Sequence, residues 1–141
     1  MRSLLLTSAL LLSSYSALAF AGSDFKCKVT DSVKLLENGK MGAGKMSYSS
    51  KATTQELGKE FTVNRLSGEM TGSGFENNKF GAKPTVYSLS HDTAYSVITI
   101  SKPSGTIDYL EIQEWVDGPQ KPFLFRGGWT LQLVSGLCEY F

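Results

Sequence analysis

The sequence is poor in histidine, in cysteine and in net charge, and each shortage argues against a class of function. It has one histidine, His91, two cysteines, four prolines and a formal net charge of +1. Arg2 is the only charged residue before Gly22, so the chain from there on balances 13 basic residues against 13 acidic ones. Nucleic acid and anionic membrane surfaces are both held by a basic face, so neither is expected as a partner.

Residues 1–21 are predicted to be an export signal and not part of the fold. Arg2 gives a positive start, Leu4 to Leu12 is mainly apolar, and Ala19 and Ala21 are small residues where a signal peptidase cleaves. Serines then interrupt the roughly 20 apolar residues that an uncleaved membrane anchor needs. We therefore expect one domain over residues 22–141, periplasmic or secreted, with no membrane span after cleavage.

The two cysteines lie near the two ends of this domain, at Cys27 and Cys138. An even pair in an exported chain normally forms a disulfide. A bridge that closes so long a loop is worth about 4 to 5 kcal/mol as an upper estimate. The alternatives are a metal site or a reactive thiol, and a single histidine without ligand spacing nearby disfavours both. No metal and no cofactor are expected.

Alternation of apolar and polar residues predicts strands along most of the domain, while helical periodicity is nearly absent. Turn signals separate these segments, and Glu37–Gly58, rich in glycine and serine, is predicted to be a long loop. Gly127 and Gly128 are predicted to form a two-residue turn, and Gly136 a bend or bulge. The predicted strand segments are Phe25–Leu35, a hairpin within Glu60–Gly72, Thr85–Leu89, Ala94–Ser101, Ile107–Val116, Phe123–Arg126 and Trp129–Val134.

These strands predict an all-β fold, an antiparallel meander that closes into a small β-barrel. A meander of this size either closes or folds over as a β-sandwich. A disulfide between the first and last strands holds their Cα atoms within about 7 Å, which favours closure. A sandwich with Greek-key connections is the alternative, with Glu37–Gly58 as its only candidate crossover.

Catalysis finds little support in the residue types. Any nucleophilic mechanism through an imidazole would have to use His91, whose neighbours are turn formers. Glu111 and Glu114 are three positions apart on one strand, so they point to opposite faces and do not form a pair of catalytic carboxylates. The protein is therefore expected not to be an enzyme.

Four residues are candidates for binding: Tyr109, Glu114, Trp115 and Trp129. Tyr109 and Trp115 share the face opposite Leu110, where they form either a contact patch for a protein or glycan or simple cross-strand packing. Trp129 is predicted to be core or cavity lining. Glu114 lies either at a barrel mouth, where it needs a partner and orients a polar ligand, or at a solvated strand end, which is the preferred interpretation.

The register of the C-terminal half follows from the same alternation, because a slip of one residue moves every apolar side chain into water. The residues expected to be buried are Leu110, Ile112, Trp129, Leu131 and Leu133, and those expected to be exposed are Glu111, Gln113 and Gln132.

Several short motifs resemble those of a group of small exported bacterial proteins whose function is not established. They are Phe61-Thr62-Val63-Asn64-Arg65 with Gly68 and Gly72, Tyr109-Leu110-Glu111, Lys121-Pro122-Phe123, and Gly136-Leu137-Cys138 together with Cys27. The resemblance implies a bacterial source and the disulfide. It implies no activity and no functional residues.

Three functions are compatible with this sequence. The first is a non-enzymatic binding or accessory protein with a small apolar ligand in the barrel or a protein on its surface. The second is an inhibitor or interaction module that acts on a host or competitor enzyme through a projecting loop, with Glu37–Gly58 as the candidate. The third is an enzyme of unknown class. A pocket in the barrel favours the first, a rigid projecting element the second, and a buried polar cluster around His91 the third.

Overall fold

Nine antiparallel strands form one curled sheet in the structure, a computed structural model that describes residues 23–42, 56–72, 74–88, 92–127 and 132–141. Besides the strands it contains a 3-10 turn at Lys79–Gly81, and no helix in the described ranges is long and apolar enough to cross a membrane. The strands are β1 (Phe25–Leu35), β2 (Met41–Gly42), β3 (Glu60–Val63), β4 (Met70–Thr71), β5 (Pro84–Ser88), β6 (Ala94–Ser101), β7 (Thr106–Gln113), β8 (Lys121–Gly127) and β9 (Gln132–Tyr140).

The strand order confirms the predicted all-β, barrel-like fold. Strands β5 to β9 form a meander, β9 pairs with β1, β1 pairs with β3, and β3 pairs with β4, while the short β2 extends β1. The sheet curls into a half-barrel whose concave face holds one contiguous core. The first and last long strands are therefore neighbours, as the placement of the cysteines predicts.

The disulfide between Cys27 and Cys138 is confirmed. The two residues lie directly opposite each other on β1 and β9, with Cα atoms 3.9 Å apart and an S–S distance of 1.99 Å. The bridge spans 111 positions of the chain, so it restricts the unfolded state strongly.

The core consists of the inward-pointing residues of each strand, which alternate with outward-pointing ones as the pleat requires. Aromatic rings dominate its centre. Phe61 stacks on Phe75 at 4.6 Å between centroids, Phe61 meets Phe123 edge to face at 5.3 Å, and Phe75 meets Phe125 at 5.4 Å. The buried apolar residues are Phe25, Cys27, Val29, Phe61, Val63, Met70, Phe75, Tyr95, Val97, Leu110, Ile112, Phe123, Phe125, Val134 and Cys138.

A β-bulge in β1 confirms the special role predicted for Gly136. The register of β1 against β9 shifts between Val29 and Asp31, and Gly136 lies opposite Val29 at this point. A Cβ atom on Gly136 would lie 2.0 Å from the carbonyl oxygen of Lys28 and 2.8 Å from the Phe123 ring. Only glycine lets the two backbones approach this closely.

The predicted register of the last hairpin is wrong. Arg126 pairs with Leu133 and Gly127 with Gln132, so residues 128–131 connect the strands and a Gly127-Gly128 turn is not formed. Phe125 lies opposite Val134, and directly opposite residues share a face, so Val134 and Cys138 point inward. Leu133, expected to be buried, is half-buried on the other face, and Gln132, expected to be exposed, lines a pocket on the concave side. Trp129 and Leu131 lie outside the described residues.

The structure confirms the predicted burial on β7 and the hairpin predicted earlier in the chain. Leu110 and Ile112 are buried, as expected, whereas Glu111 and Gln113, expected to be exposed, are half-buried. The hairpin predicted within Glu60–Gly72 is confirmed by the pairing of β3 with β4. 

The predicted loop Glu37–Gly58 is described only at its two ends. Its first part is a tight turn, closed by the hydrogen bond from Gly39 N–H to the Leu36 carbonyl, and leads into β2. Its last part returns next to β1 through a hydrogen bond from Gly58 N–H to the Val29 carbonyl. Residues 43–55 lie outside the described ranges.

The edge strands β4 and β5 form no backbone ladder in the described part of the chain, and a side chain instead links β4 and the β3–β4 turn to β6. Asn77 accepts a hydrogen bond from the N–H of Met70 and donates to the carbonyl of Gly68 and to the hydroxyl of Thr99 on β6. Gly68, at φ 74°, packs so closely that an added Cβ would lie 2.9 Å from Val97. The β3–β4 turn thus rests directly on the far side of the sheet.

Replacing Gly136 by alanine is expected to lower the free energy of unfolding by about 3 kcal/mol, because the methyl group collides with the Lys28 carbonyl and the chain must shift. Ser135→Ala, one position away on the same strand and half-buried on the outer face, is the control and is expected to stay within about 0.5 kcal/mol of wild type. Urea unfolding measures both. Equal midpoints for the two variants would contradict the close approach of β1 and β9.

Candidate functional site

The two ends of the half-barrel differ in what fills them. One end holds a buried ion pair between Arg65 and Glu114, and the other opens into a pocket lined by residues of β6, β7, β8 and β9 and by the chain before β5. The ion pair contains Glu114, one of the four binding candidates proposed from the sequence.

Arg65 crosses the inside of the half-barrel from the β3–β4 turn. Its guanidinium donates two parallel hydrogen bonds to Glu114, from Nη1 to Oε1 at 2.5 Å and from Nη2 to Oε2 at 2.9 Å. It also lies over the rings of Phe25 and Tyr95, at 5.2 and 5.6 Å from their centroids. With a relative exposure of 1%, Arg65 is a charged residue that is fully enclosed by a carboxylate and aromatic rings.

Glu114 is buried at the end of β7, so the preferred interpretation of a solvated strand end is wrong. Only 4% of the residue is exposed, and it points inward, opposite in direction to Glu111, which accepts a hydrogen bond from Tyr109 on the outer face. Tyr140 on β9 donates its hydroxyl to Glu114 Oε1 at 2.8 Å. A buried carboxylate needs such partners, and here the protein itself supplies them.

The surroundings of this cluster shift the pKa values of its members. Burial alone lowers the pKa of Arg65, but the hydrogen bonds and the charge of Glu114 more than compensate, so the net shift is upward. Burial raises the pKa of Tyr95. Burial, and then the hydrogen bond to Glu114, raises the pKa of Tyr140 to about 12. The arginine thus stays charged and both phenols stay neutral over the physiological range.

Asp24 fastens the backbone around the same cluster. Its Oδ1 accepts the N–H of Arg65 at 2.9 Å, and its own carbonyl accepts the N–H of Phe141. The hydroxyl of Tyr95 donates to the Arg65 carbonyl at 3.0 Å. Because the charged groups are enclosed and face one another, a ligand could reach them only if the barrel opened, and the cluster is structural.

The pocket at the other end has a volume of about 290 Å³, near the lower limit for small-molecule sites. Phe75 and Phe125 form its apolar wall, and Val134 continues that wall on β9. Thr99 and Asn77 add polar groups deep in the pocket. Concave shape, aromatic lining and a few polar groups are the usual combination of a small-molecule site.

Two lysine–carboxylate pairs lie at the rim of the pocket. Glu76 contacts Lys79 at 2.9 Å, and Glu56 contacts Lys59 at 2.9 Å. The hydrogen bond from Lys79, and then those from backbone N–H groups, lower the pKa of Glu76. A third carboxylate, Asp108 on the inner side of β7, also lines the pocket.

Phe80 stands at the rim in an unusual backbone conformation. Its φ of 55° and ψ of 31° are in the left-handed region, and it is the only non-glycine residue with positive φ in the described ranges. Its side chain is 81% exposed and lines the pocket opening. A bulky residue in this region stores about 1 to 3 kcal/mol of strain and is often found at functional sites.

The aromatic residues proposed from the sequence do not form this pocket. Tyr109 is half-buried on the outer face, where its hydrogen bond to Glu111, and then burial, raise its pKa. Trp115 is 57% exposed and lies beyond the end of β7. The contact patch predicted for Tyr109 and Trp115 stays a prediction. Trp129 and His91 lie outside the described residues.

Sequence reasoning missed Phe80, Thr99, Asn77 and Arg65. Phe80 follows Asn77-Asn78-Lys79 and precedes Gly81, a pattern that predicts a turn but not an exposed ring. Thr99 has the parity of Tyr95 and Val97, so its inward direction was readable from the sequence. No local feature of the sequence predicts that Arg65 is buried. Within the described ranges, no group of three or more His, Cys, Asp and Glu side chains is placed to hold a metal ion.

Breaking the ion pair from one side is expected to destabilise the protein strongly. Glu114→Gln leaves the Arg65 charge enclosed without a counter-charge, and the free energy of unfolding should fall by about 3 to 5 kcal/mol. Arg65→Met should cost a similar amount. The double variant should be more stable than the sum of the two losses predicts, by at least about 1 kcal/mol, because neither charge is then left alone. Additive losses in urea unfolding would contradict a direct pair.

Tyr140 should make the protein unstable in alkali. An unfolded tyrosine ionises near pH 10, whereas folding raises the pKa of Tyr140 to about 12. The unfolded chain therefore releases this proton first. The contribution is fully present below about pH 10, and the free energy of unfolding falls as the pH rises through the folded pKa. Tyr140→Phe should flatten this fall, whereas Tyr87→Phe, at an exposed tyrosine, should leave it unchanged. Superimposable pH profiles for all three proteins would contradict the assignment.

Comparisons with known proteins add no family to this description. No protein-family model, no curated protein and no solved structure matches this chain. The resemblance to small exported bacterial proteins stays a prediction, and functional inference depends on the geometry of the pocket.

Proposed function

We propose that this protein is an exported, non-enzymatic binding protein that holds a small ligand in the pocket at the open end of the half-barrel. The observation that carries the proposal is the pocket itself. Its aromatic wall of Phe75 and Phe125 surrounds buried polar groups, and an exposed aromatic ring, Phe80, lies at its opening. Small-molecule sites are concave and mostly apolar, with a few polar groups that orient the ligand.

The disulfide supports the export part of the proposal. Cys27 and Cys138 form a buried, intramolecular bridge, and such structural bridges persist in the periplasm or outside the cell and are rare in the cytosol. Together with the signal predicted in residues 1–21, this favours a periplasmic or secreted protein.

Binding fits the pocket better than catalysis does. A general acid or base works best when its pKa lies near the working pH. The hydrogen bond from Lys79 moves the pKa of Glu76 in the opposite direction, and Glu56 is held by Lys59. Carboxylates fixed in this way accept hydrogen bonds from a ligand and hold its orientation, but they are poor at moving protons.

The second candidate is a protein-interaction or inhibitor module, and one observation favours it. Phe80 is 81% exposed on a tight turn whose backbone is fixed in a strained conformation, as in an anchor that enters a pocket of a partner. This candidate differs from the earlier expectation, which placed the projecting element in Glu37–Gly58. In this function the ring of Phe80 leaves the pocket rim and contacts another protein.

Phe80→Gly separates function from stability. Glycine takes up the positive φ without strain, so the free energy of unfolding should stay within about 1 kcal/mol of wild type or increase. Affinity for a pocket ligand should fall at least about tenfold, because the ring at the opening is lost. Trp115→Ala removes another exposed aromatic residue, one that does not line the pocket, and serves as the matched control, with unchanged affinity expected.

The measurement is a screen of neutral, cationic and anionic ring compounds by NMR, with the amide signals of Thr99, Asp108 and Gly127 as reporters of the pocket. Hits that move these signals and weaken in Phe80→Gly support the proposal. Hits confined to the outer face, or a loss of affinity in Trp115→Ala only, would overturn it. A protein partner lost in Phe80→Gly, with no compound in the pocket, would favour the second candidate.

A further inference from the structure

We infer that the ligand of this pocket is a sugar ring, a neutral ring that carries several hydroxyl groups. The inference rests on the proposed function and specifies its ligand. It departs from the small apolar ligand expected from the sequence, and the reason is the set of polar groups that the fold places inside the pocket.

The two lysine–carboxylate pairs at the rim of the pocket bring little net charge. Glu56 and Glu76 are each matched by a lysine at 2.9 Å, so these two carboxylates bring little net charge to the opening. A site for a small cation keeps its carboxylates for the ligand, because every resident lysine competes with the ligand's charge. The carboxylate oxygens still have free lone pairs, since each accepts several hydrogen bonds. They therefore suit hydroxyl donors better than an ammonium group.

The hydroxyl group of Thr99 lies at the base of the pocket. Thr99 is 2% exposed, and its oxygen accepts a hydrogen bond from Asn77 at 3.1 Å. Within the described residues, no acceptor receives the hydroxyl proton of Thr99. An apolar ligand would bury this donor without a partner, which costs free energy. A ligand hydroxyl satisfies it, and a hydroxyl both donates and accepts.

The remaining polar side chains lie on more than one wall of the pocket. Asp108 on β7 and Gln132 on β9, whose amide also donates to the Ser32 hydroxyl, line the pocket on either side of β8, the strand of Phe125. Acceptors and amide groups thus occur on more than one wall. A sugar ring carries hydroxyls around its whole edge, so it can bond to several walls at once, whereas a ligand with a single polar group cannot.

Aromatic side chains of the pocket can pack against the face of a sugar ring. A sugar ring presents C–H groups on its face, which pack on the face of an aromatic ring, while its hydroxyls point outward along the edge. Phe80, 81% exposed, offers such a ring at the opening, while Phe75, stacked on Phe61, adds an apolar surface in the wall. An aromatic face with its negative quadrupole attracts polarised C–H groups.

Size sets the last limit. A volume of about 290 Å³ near the lower end of small-molecule sites fits one ring well and a long chain of rings poorly. The ring is either a free monosaccharide or the terminal residue of a longer glycan that continues into solvent past Phe80. Both sources share the chemistry of one bound ring, and the experiment distinguishes them.

The test is a titration of the disulfide-bonded, ¹⁵N-labelled protein with glucose, galactose, N-acetylglucosamine, maltose and chitobiose. Benzylamine and benzyl alcohol are the matched cationic and weakly polar ring probes. We expect at least one saccharide to move the amide signals of Thr99, Asp108 and Gly127 and to bind at least about tenfold more tightly than either probe. Its affinity should change less than about twofold when salt is raised, because no net charge is neutralised.

Two substitutions at Asp108 sharpen the result. Asp108→Asn keeps a carbonyl acceptor and removes the charge, so saccharide affinity should stay within about threefold of wild type. Asp108→Ala removes the acceptor, and affinity should fall at least about tenfold. Thermal unfolding of both variants checks that the fold is intact. If Asp108→Ala does not fold, Phe80→Gly replaces it as the variant expected to lose affinity.

Each outcome decides between distinct possibilities. Benzylamine as the best ligand, with affinity that falls in salt and in Asp108→Asn, would overturn the sugar and leave the proposed function standing. Benzyl alcohol as the best ligand would do the same in favour of an apolar ligand. No pocket shifts with any saccharide or probe would overturn both. Equal affinities for maltose and glucose would indicate a free monosaccharide, and tighter binding of a disaccharide would indicate the end of a glycan.

Discussion

The buried pair between Arg65 and Glu114 is the interaction on which the shape of this molecule depends. Arg65 belongs to the turn at one edge of the sheet, whereas Glu114 follows β7, near the other edge. Their two hydrogen bonds connect the β3–β4 turn to the end of β7, between which the described residues form no backbone ladder. The pair is expensive to desolvate, so its net contribution to stability is smaller than the loss on breaking it. Its value lies in fixing where the β3–β4 turn sits over the concave face.

This constraint explains why the two ends of the half-barrel differ. At the end of Arg65, the guanidinium, the carboxylate of Glu114 and the ring of Tyr95 are buried against one another. Further along the seam, Asn77 replaces the charged pair with neutral hydrogen bonds to Met70 on β4, to Gly68 in the β3–β4 turn and to Thr99 on β6. Beyond Asn77 no comparable link is described, and the pocket begins there, with Thr99 as the last polar group of the seam and the first of the pocket. Closure at one end thus leaves the other open.

The sequence was informative where local pattern and tertiary structure agree. The alternation in β1 and β6 and the terminal cysteines sufficed to predict an all-β fold with its first and last strands adjacent. The pattern misled in β9, because Leu133 is a large apolar residue on the outer face while the inner positions include Gln132 and Gly136. Burial of Arg65 was not predictable, since its partner lies 49 positions away and arginine is rarely buried. Such a contact exists only once the sheet has curled.

The candidate site follows the same division. The sequence pattern proposed Tyr109 and Trp115 as exposed aromatic residues of one strand. In the structure, Tyr109 donates a hydrogen bond to Glu111 on the outer face, and Trp115 lies past the end of β7. Phe80 does not belong to a strand, so no alternation of apolar and polar residues predicts where its side chain points. Its left-handed backbone conformation is one that phenylalanine disfavours. Local rules that a protein breaks without gaining stability are the ones to connect with function. Glycine at position 80 would fold at least as easily, and for this reason the proposed function assigns the Phe80 ring a role in binding.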